Sequence, residues 1–222
     1  MIDLSERSGA RIIQYEIGDY QNFVYLVLDW EEKKAAIVDP QADLLFPLNF
    51  LKKYDFHLTD VLLTHTHFDH IAGLSTLIRT HPHLLVRVHR DELHRLPDPV
   101  MNTAQIKLVQ EGHILHIGKI GIQVYHTPGH SLGECCYWVP GDPPYLLSGD
   151  TVFIRDCGRT DLPTGSTRQM FDSLQRIKKL PKNTILLPGH HYRAESSSTL
   201  AQELKTSPPF LCQSVEELEA LP

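Results

Sequence analysis

One stretch constrains this chain more than any other: residues 60–73, Asp60-Val61-Leu62-Leu63-Thr64-His65-Thr66-His67-Phe68-Asp69-His70-Ile71-Ala72-Gly73. An apolar run ends in three histidines and an aspartate within six residues, and a helical pattern with small side chains follows. The reading is a strand, a ligand loop and a helix. At a strand end, side chains two apart face the same side, so His65 and His67 converge on one point in space. Asp69 and His70, placed after the chain turns, face a neighbouring point. Neutral imidazole and carboxylate suit zinc, iron or manganese, and no cysteine sits among them. The run predicts a metal-binding loop rather than a set of surface histidines.

The same pattern recurs downstream. Residues 112–125 alternate as a hairpin with its turn at Ile117-Gly118-Lys119-Ile120, and they lead into His126-Thr127-Pro128-Gly129-His130-Ser131. His130 is presented on a loop, whereas His126 lies in the strand and can equally be a core histidine. Strands at 134–139 and 145–147 follow, the second ending at Ser148-Gly149-Asp150-Thr151. A carboxylate there can bridge two cations about 3.5–4 Å apart, although a Gly-Asp pair alone would read as a plain turn. A strand at 184–187 runs into Pro188-Gly189-His190-His191-Tyr192-Arg193, so His190 is another strand-end histidine. Active sites of open α/β sheets gather at strand ends, so these loops are expected along one edge of the core.

The remaining segments read as scaffold. Strands at 11–17 and 22–30 form a hairpin, and one at 35–38 ends at Asp39-Pro40, where Asp39 either supports the metal loop or caps the turn. Helices are expected at 42–54, 71–80 and 198–205, a brief one at 91–96, and one after the capping-box residues Ser166 to Gln169, with Met170, Phe171, Leu174, Ile177 and Leu180 on its apolar face. A tail containing prolines closes the chain. The histidines at 81, 83, 89, 94, 113 and 116 have no ligand spacing and read as structural or surface residues.

Composition narrows the partners. A chain of 222 residues fits one α/β domain, residues 1–222, and its 41% hydrophobic and 22% charged content suits a soluble globular protein. The formal net charge of -6 offers no general attraction to phosphate backbones or anionic lipid, so neither nucleic acid nor membrane is an expected partner. Met1 to Arg7 show no basic segment followed by an apolar run, which makes the cytoplasm the expected location. The four cysteines lack metal spacing, and adjacent Cys135 and Cys136 cannot bridge each other in a strand, so reduced, buried thiols are expected, with a redox role as the alternative.

The series His65, His67, Asp69, His70, then His130, Asp150 and His190 resembles the metallo-β-lactamase-fold superfamily, whose hallmark is His-x-His-x-Asp-His followed by a later His, Asp and His. The resemblance spans nearly the whole chain. It implies an α/β protein, an αβ/βα four-layer sandwich with two sheets between outer helix layers. It also implies two divalent metal ions, zinc foremost with iron or manganese as alternatives: one on His65, His67 and His130, the other on Asp69, His70 and His190, with Asp150 bridging.

Within that superfamily, Gly149-Asp150-Thr151-Val152-Phe153 and Cys157-Gly158-Arg159-Thr160-Asp161-Leu162-Pro163 resemble the glyoxalase II, or hydroxyacylglutathione hydrolase, group, especially its short bacterial members. This implies hydrolysis of a small-molecule thioester such as a glutathione conjugate. A hydroxide between the metals attacks, with Asp69 orienting it as the catalytic residue. A thiolate leaves without a dedicated acid, since its conjugate thiol has a pKa of about 8.5. The larger enzymes of this group carry a C-terminal helical region that helps hold glutathione. Here substrate contacts are expected instead from the loop residues Arg159, Tyr192 and Arg193.

Two rival readings remain. Persulfide dioxygenases share the fold, the Gly-Arg-Thr-Asp run and the His-Tyr pair, which implies a single iron on His65, His130 and Asp150. Phe68, Leu162-Pro163 and His191 depart from that group's pattern and favour hydrolysis. The third reading is a non-catalytic binding protein that keeps its metal for stability. Oligomeric state is left open.

Overall fold

Strands buried on both faces organise the chain into two sheets. The computed structural model describes residues 2–3 and 10–221, so most of the N-terminal segment 1–7 lies outside the described residues. The first sheet consists of β1 (Ile2–Asp3), β2 (Ala10–Ile17), β3 (Asn22–Asp29), β4 (Lys34–Val38), β5 (His57–Leu62), β6 (Leu85–His89) and β7 (Gln105–Val109), lying side by side in that order. Pairing is antiparallel as far as β4 and parallel from β4 to β7. The second sheet holds β8 (Ile114–Ile117), β9 (Ile120–His126), β10 (Cys135–Val139), β11 (Tyr145–Gly149), β12 (Ile185–Pro188) and β13 (Ser198–Thr199), again in sequential order. Only β11 and β12 pair in parallel there.

Among the described residues, eight α-helices cover the sheets: α1 (Leu45–Lys53), α2 (Phe68–Ile71), α3 (Leu74–Thr80), α4 (Asp98–Thr103), α5 (Thr167–Ile177), α6 (Leu200–Thr206), α7 (Pro208–Leu211) and α8 (Val215–Glu219). The period of two along a strand sorts side chains into separate apolar layers. In β3, Val24, Leu26 and Leu28 pack outward with Leu51, Leu74, Leu77, Ile78 and Val100 of the first helix set. Phe23, Tyr25 and Val27 point the other way and meet Ile122, Val124, Tyr137 and Leu147 of the second sheet. A third layer joins Cys136, Leu146 and Leu186 to Met170, Leu174, Ile177, Leu200 and Leu218. Three apolar layers between four layers of structure make the expected αβ/βα sandwich. Adjacent Cys135 and Cys136 fall in different layers, and both are free thiols.

Two segments carry more structure than the sequence reading gave them. Pro97 and Pro99 open α4 instead of breaking the chain, because the first turn of a helix needs no N–H partner at those positions. The half-exposed edge strand β7 follows it. The tail forms α7 and α8, where Phe210 and Leu218 close the third layer. The last expected helix begins only at Leu200: Thr199 caps it by accepting from the Gln202 amide at 3.2 Å, and Ser198 pairs with β12. Among the described residues, no helix is long and apolar enough to cross a membrane.

Candidate metal centre

Four strand ends meet at one place, two sheets contributing to it. Beyond β5, the Thr64 amide and hydroxyl donate to the two oxygens of Asp39 at 2.8 and 2.6 Å, tying the ends of β4 and β5 together. The Thr64 carbonyl accepts from the Cys135 amide at 2.8 Å and ties the first sheet to the second. The single turn of α2 then brings Asp69 and His70 round beside His65 and His67. From the second sheet come His130 after β9, Asp150 after β11 and His190 after β12. Gly149 adopts φ +50°, and a Cβ there would stand 2.5 Å from Glu134 Oε1. At Gly189 a Cβ would collide with Asp150 Oδ1 and the His70 ring, so glycine lets β12 approach the cluster.

The seven side chains form three overlapping groups, His65/His67/His130, His65/His70/Asp150 and Asp69/His70/His190, with the ligand atoms of each group all within 4.8 Å of one another. Only His67 is part-exposed; the others are buried. His67 Nδ1 lies 2.9 Å from His130 Nε2, and His70 Nε2 lies 3.1 Å from His190 Nε2. Asp150 spans the groups, with Oδ1 3.4 Å from His70 Nε2 and Oδ2 3.4 Å from His130 Nε2 and 3.5 Å from His190 Nε2. Asp69 Oδ2 is 3.3 Å from His190 Nε2 and accepts from Asn22 Nδ2 at 3.0 Å.

The far nitrogens of three rings are committed elsewhere. His130 Nδ1 donates to the Arg159 carbonyl at 2.8 Å, His190 Nδ1 to the Tyr20 carbonyl at 2.8 Å, and His70 Nδ1 to Asp39 Oδ2 at 3.0 Å. Such partners fix the tautomer and turn the lone pair of Nε2 inward. His65 Nε2 and Asp150 Oδ1 are buried with no hydrogen-bond partner. Burial holds His65 well below the ordinary histidine value and brings His67 down to about 4. Burial opposes a charge on His70 too, yet Asp150 and Asp39 outweigh it and hold that ring well above the ordinary value. Burial likewise opposes charge on Asp150, but His70 and His190 keep it well below the usual carboxylate range. Inward lone pairs, orphaned donors and a carboxylate field that draws positive charge fit a divalent cation, and a donor set of nitrogen and oxygen only fits zinc, iron or manganese.

The other expected residues sit at the rim. Tyr192 stacks on His190 at 4.7 Å between ring centroids. Burial, with the Asp150 and Asp69 charges adding to it, pushes its phenol up to about 12. The Arg159 guanidinium is exposed and bidentate to Asp161 at 2.6 Å for both bonds. Arg193 faces Asp156 at 3.5 Å. His126 lies outside the cluster, stacked on His89 at 4.2 Å.

Two buried carboxylates escaped the sequence reading. Glu92 accepts from the Thr66 amide and hydroxyl at 2.9 and 2.6 Å, from the Ser131 hydroxyl at 2.8 Å and from the Gly133 amide at 3.0 Å, so it clamps the His65–His67 loop to the His130 loop. Glu134 accepts from the Asp150 amide at 2.9 Å and lies 3.4 Å from His65 Nδ1. Glu92 stands in the brief helix expected at 91–96 and Glu134 opens the strand expected at 134–139, and neither carries a local signal of its role.

Comparison with known proteins agrees with this fold. A family model of the metallo-beta-lactamase superfamily matches residues 17–190. The chain is 35% identical to a hydroxyacylglutathione hydrolase of Synechococcus sp. over 77% of its own length, and spans 65% of that relative. Among solved structures, ETHE1 from Myxococcus xanthus has a TM-score of 0.80 at 28% identity, covering 95% of this chain and 92% of its own. TTHA1623, solved in a di-iron-bound form, has a TM-score of 0.74 at 28% identity over 88% of this chain and 98% of its own. A four-layer sandwich with a His/Asp cluster at its strand ends, matched by the family model over most of its length, makes this chain a member of the metallo-beta-lactamase superfamily.

Proposed function

We propose that the chain is a dinuclear metal-dependent thioester hydrolase of the hydroxyacylglutathione hydrolase type, acting as one cytoplasmic domain. The observation that carries this reading is the pair of ligand groups, His65/His67/His130 and Asp69/His70/His190, on either side of Asp150. A closed structural zinc site needs four ligands, and seven stand here. Relatives named hydroxyacylglutathione hydrolase support the same reading.

Two divalent cations, when bound, lower the pKa of water and polarise a substrate carbonyl. The chain's own residues supply the rest. Asp69, more open to solvent than Asp150 and held at Oδ2 by Asn22, accepts a hydrogen bond from the attacking water and orients it. Asp39, Tyr20 and Arg159 hold the His70, His190 and His130 rings in place through the groups described above. The Tyr192 phenol keeps its proton at neutral pH and can donate to substrate. The guanidinium of Arg159, once released from Asp161, and that of Arg193 can meet a substrate carboxylate. The thiolate departs without a proton donor.

Protein loaded with zinc or iron is expected to hydrolyse S-lactoylglutathione or a related acyl-glutathione; no turnover across several such thioesters would sink this reading. One observation favours a second reading, a mononuclear-iron oxidoreductase on His65, His130 and Asp150: the chain and Myxococcus xanthus ETHE1 match over nearly their full lengths, unlike the longer hydrolases. Metal analysis and oxygen uptake with glutathione persulfide separate the two. Two metals per chain and no uptake support the hydrolase, whereas one iron with uptake supports the oxidoreductase.

A further inference from the structure

The rim of the metal centre is aromatic, and its nearby arginines are already paired. Phe68, set between His67 and Asp69, is 64% exposed, Tyr20 is 54% exposed and Tyr192 is 51% exposed. They are not scattered. Tyr20 and Phe68 meet edge to face at 5.2 Å, and Tyr192 packs edge to face on Phe153 at 5.3 Å while stacking on His190. The two pairs converge on His190, whose Nδ1 donates to the Tyr20 carbonyl and whose ring stacks on Tyr192. Single exposed apolar side chains are ordinary, but a cluster beside a reactive centre marks a surface that a ligand covers.

The charged residues of the same loops point to the chemistry of that ligand. Arg159 is held by Asp161, Arg155 by Glu195 at 2.6 and 3.0 Å, and Arg193 lies against Asp156. His191 lies 2.7 Å from Glu16. A strongly anionic substrate would have to displace these carboxylates. Apolar groups entering the rim displace only water, and ring faces and edges offer them specific contacts.

We infer that this site selects thioesters whose acyl arm is apolar and flat, such as an arylacetyl group, with Phe68, Tyr20 and Tyr192 as its specificity-determining walls. The acyl arm is assigned to these walls because a glutathione carrier, as in the reading above, is a polar, charged tripeptide without a ring and gains little from an aromatic surface. The inference rests on the thioester reading above, deepening it from reaction type to substrate class.

The test uses full-length, metal-loaded protein and separates the two ideas. Calorimetry compares two non-hydrolysable ketone analogues of N-acetylcysteamine thioesters, with methylene in place of sulfur, one carrying a phenylacetyl and one an acetyl arm. The phenylacetyl analogue is expected to bind about tenfold tighter. Phe68→Ala should abolish that difference, and Phe68→Leu should retain part of it. Equal binding of the two analogues, or a difference that survives Phe68→Ala together with Tyr20→Ala and Tyr192→Ala, overturns the inference. Hydrolysis of the corresponding thioesters is measured in parallel. Absence of any turnover with the binding preference intact would reject the hydrolase reading and leave the aromatic rim standing as an acyl-recognition surface.

Discussion

Glu92 is the residue on which the first ligand group depends, although it touches none of the seven donors. Its carboxylate takes hydrogen bonds from Thr66, between His65 and His67, from Ser131, next to His130, and from Gly133 further along the same loop. Replacing it by glutamine points an amide donor at groups that are themselves donors. Glu92→Gln is therefore expected to cost about 2 kcal/mol or more in urea denaturation. It should also weaken metal binding, measured by competition with a chromogenic chelator. Burial alone would raise the Glu92 carboxyl, but the hydrogen bonds from Thr66, Ser131 and Gly133 outweigh it and hold the group below its ordinary 4.5. The unfolded chain then takes up this proton first, so the contribution is full above about pH 4.5 and drains away as pH falls through the lower folded value. Wild type should lose stability in that window more steeply than Glu92→Gln. Parallel curves would mean that the clamp is not an ionised carboxylate. Gly189 offers a second test: Gly189→Ala sets a methyl against Asp150 and His70, and metal stoichiometry in the purified protein is expected to fall.

At the scale of single elements, strand β3 shows why the chain folds as it does. An apolar strand buried on both faces has no solvent side to offer, so it must lie between layers. Leu26→Ala removes contacts to the outer helices and is expected to cost about 2–5 kcal/mol, read from the urea midpoint. Helix α5 is anchored differently, by its cap: Ser166 accepts from the Gln169 amide at 3.3 Å, and Ser166→Ala should cost about 1 kcal/mol. The strands and the larger helices were legible because period-two and helical spacing survive in the sequence. Helix α4 and strand β7 were not: two prolines mask the helix start, and the strand is an edge whose half-exposed pattern says little. Helices α7 and α8 are too short to show a face before packing supplies one.

At the scale of the molecule, the centre lies between the two sheets, drawing His65, His67, Asp69 and His70 from the first and His130, Asp150 and His190 from the second. A metal bound there cross-links them. Removing metal with a chelator should lower the melting temperature by roughly 5–10 °C, because a ligand at a hundred times its Kd adds about 2.7 kcal/mol. The three apolar layers do not depend on the centre, so the metal-free protein should keep its far-ultraviolet circular dichroism. Loss of that signal on chelation would show that the metal is needed for folding itself.

The sequence by itself named the seven candidate donors, and the family resemblance implied how they would group. Histidine and aspartate recurring after apolar strands can be read from neighbouring residues, so the loop opening at His65 and the later His130, Asp150 and His190 stood out as candidates residue by residue. Asp39 remained ambiguous between a turn and a support until packing set it against His70. Only the tertiary structure decided what braces the cluster and what surrounds it: Glu92 reaching Ser131 and Gly133, Glu134 beneath Asp150, Asp161 occupying Arg159, and Tyr20 beside Phe68. The physical reason is range. A strand or a ligand loop is written in neighbouring residues, whereas the partner of a buried carboxylate or an exposed ring is set by which distant segments the two sheets bring together.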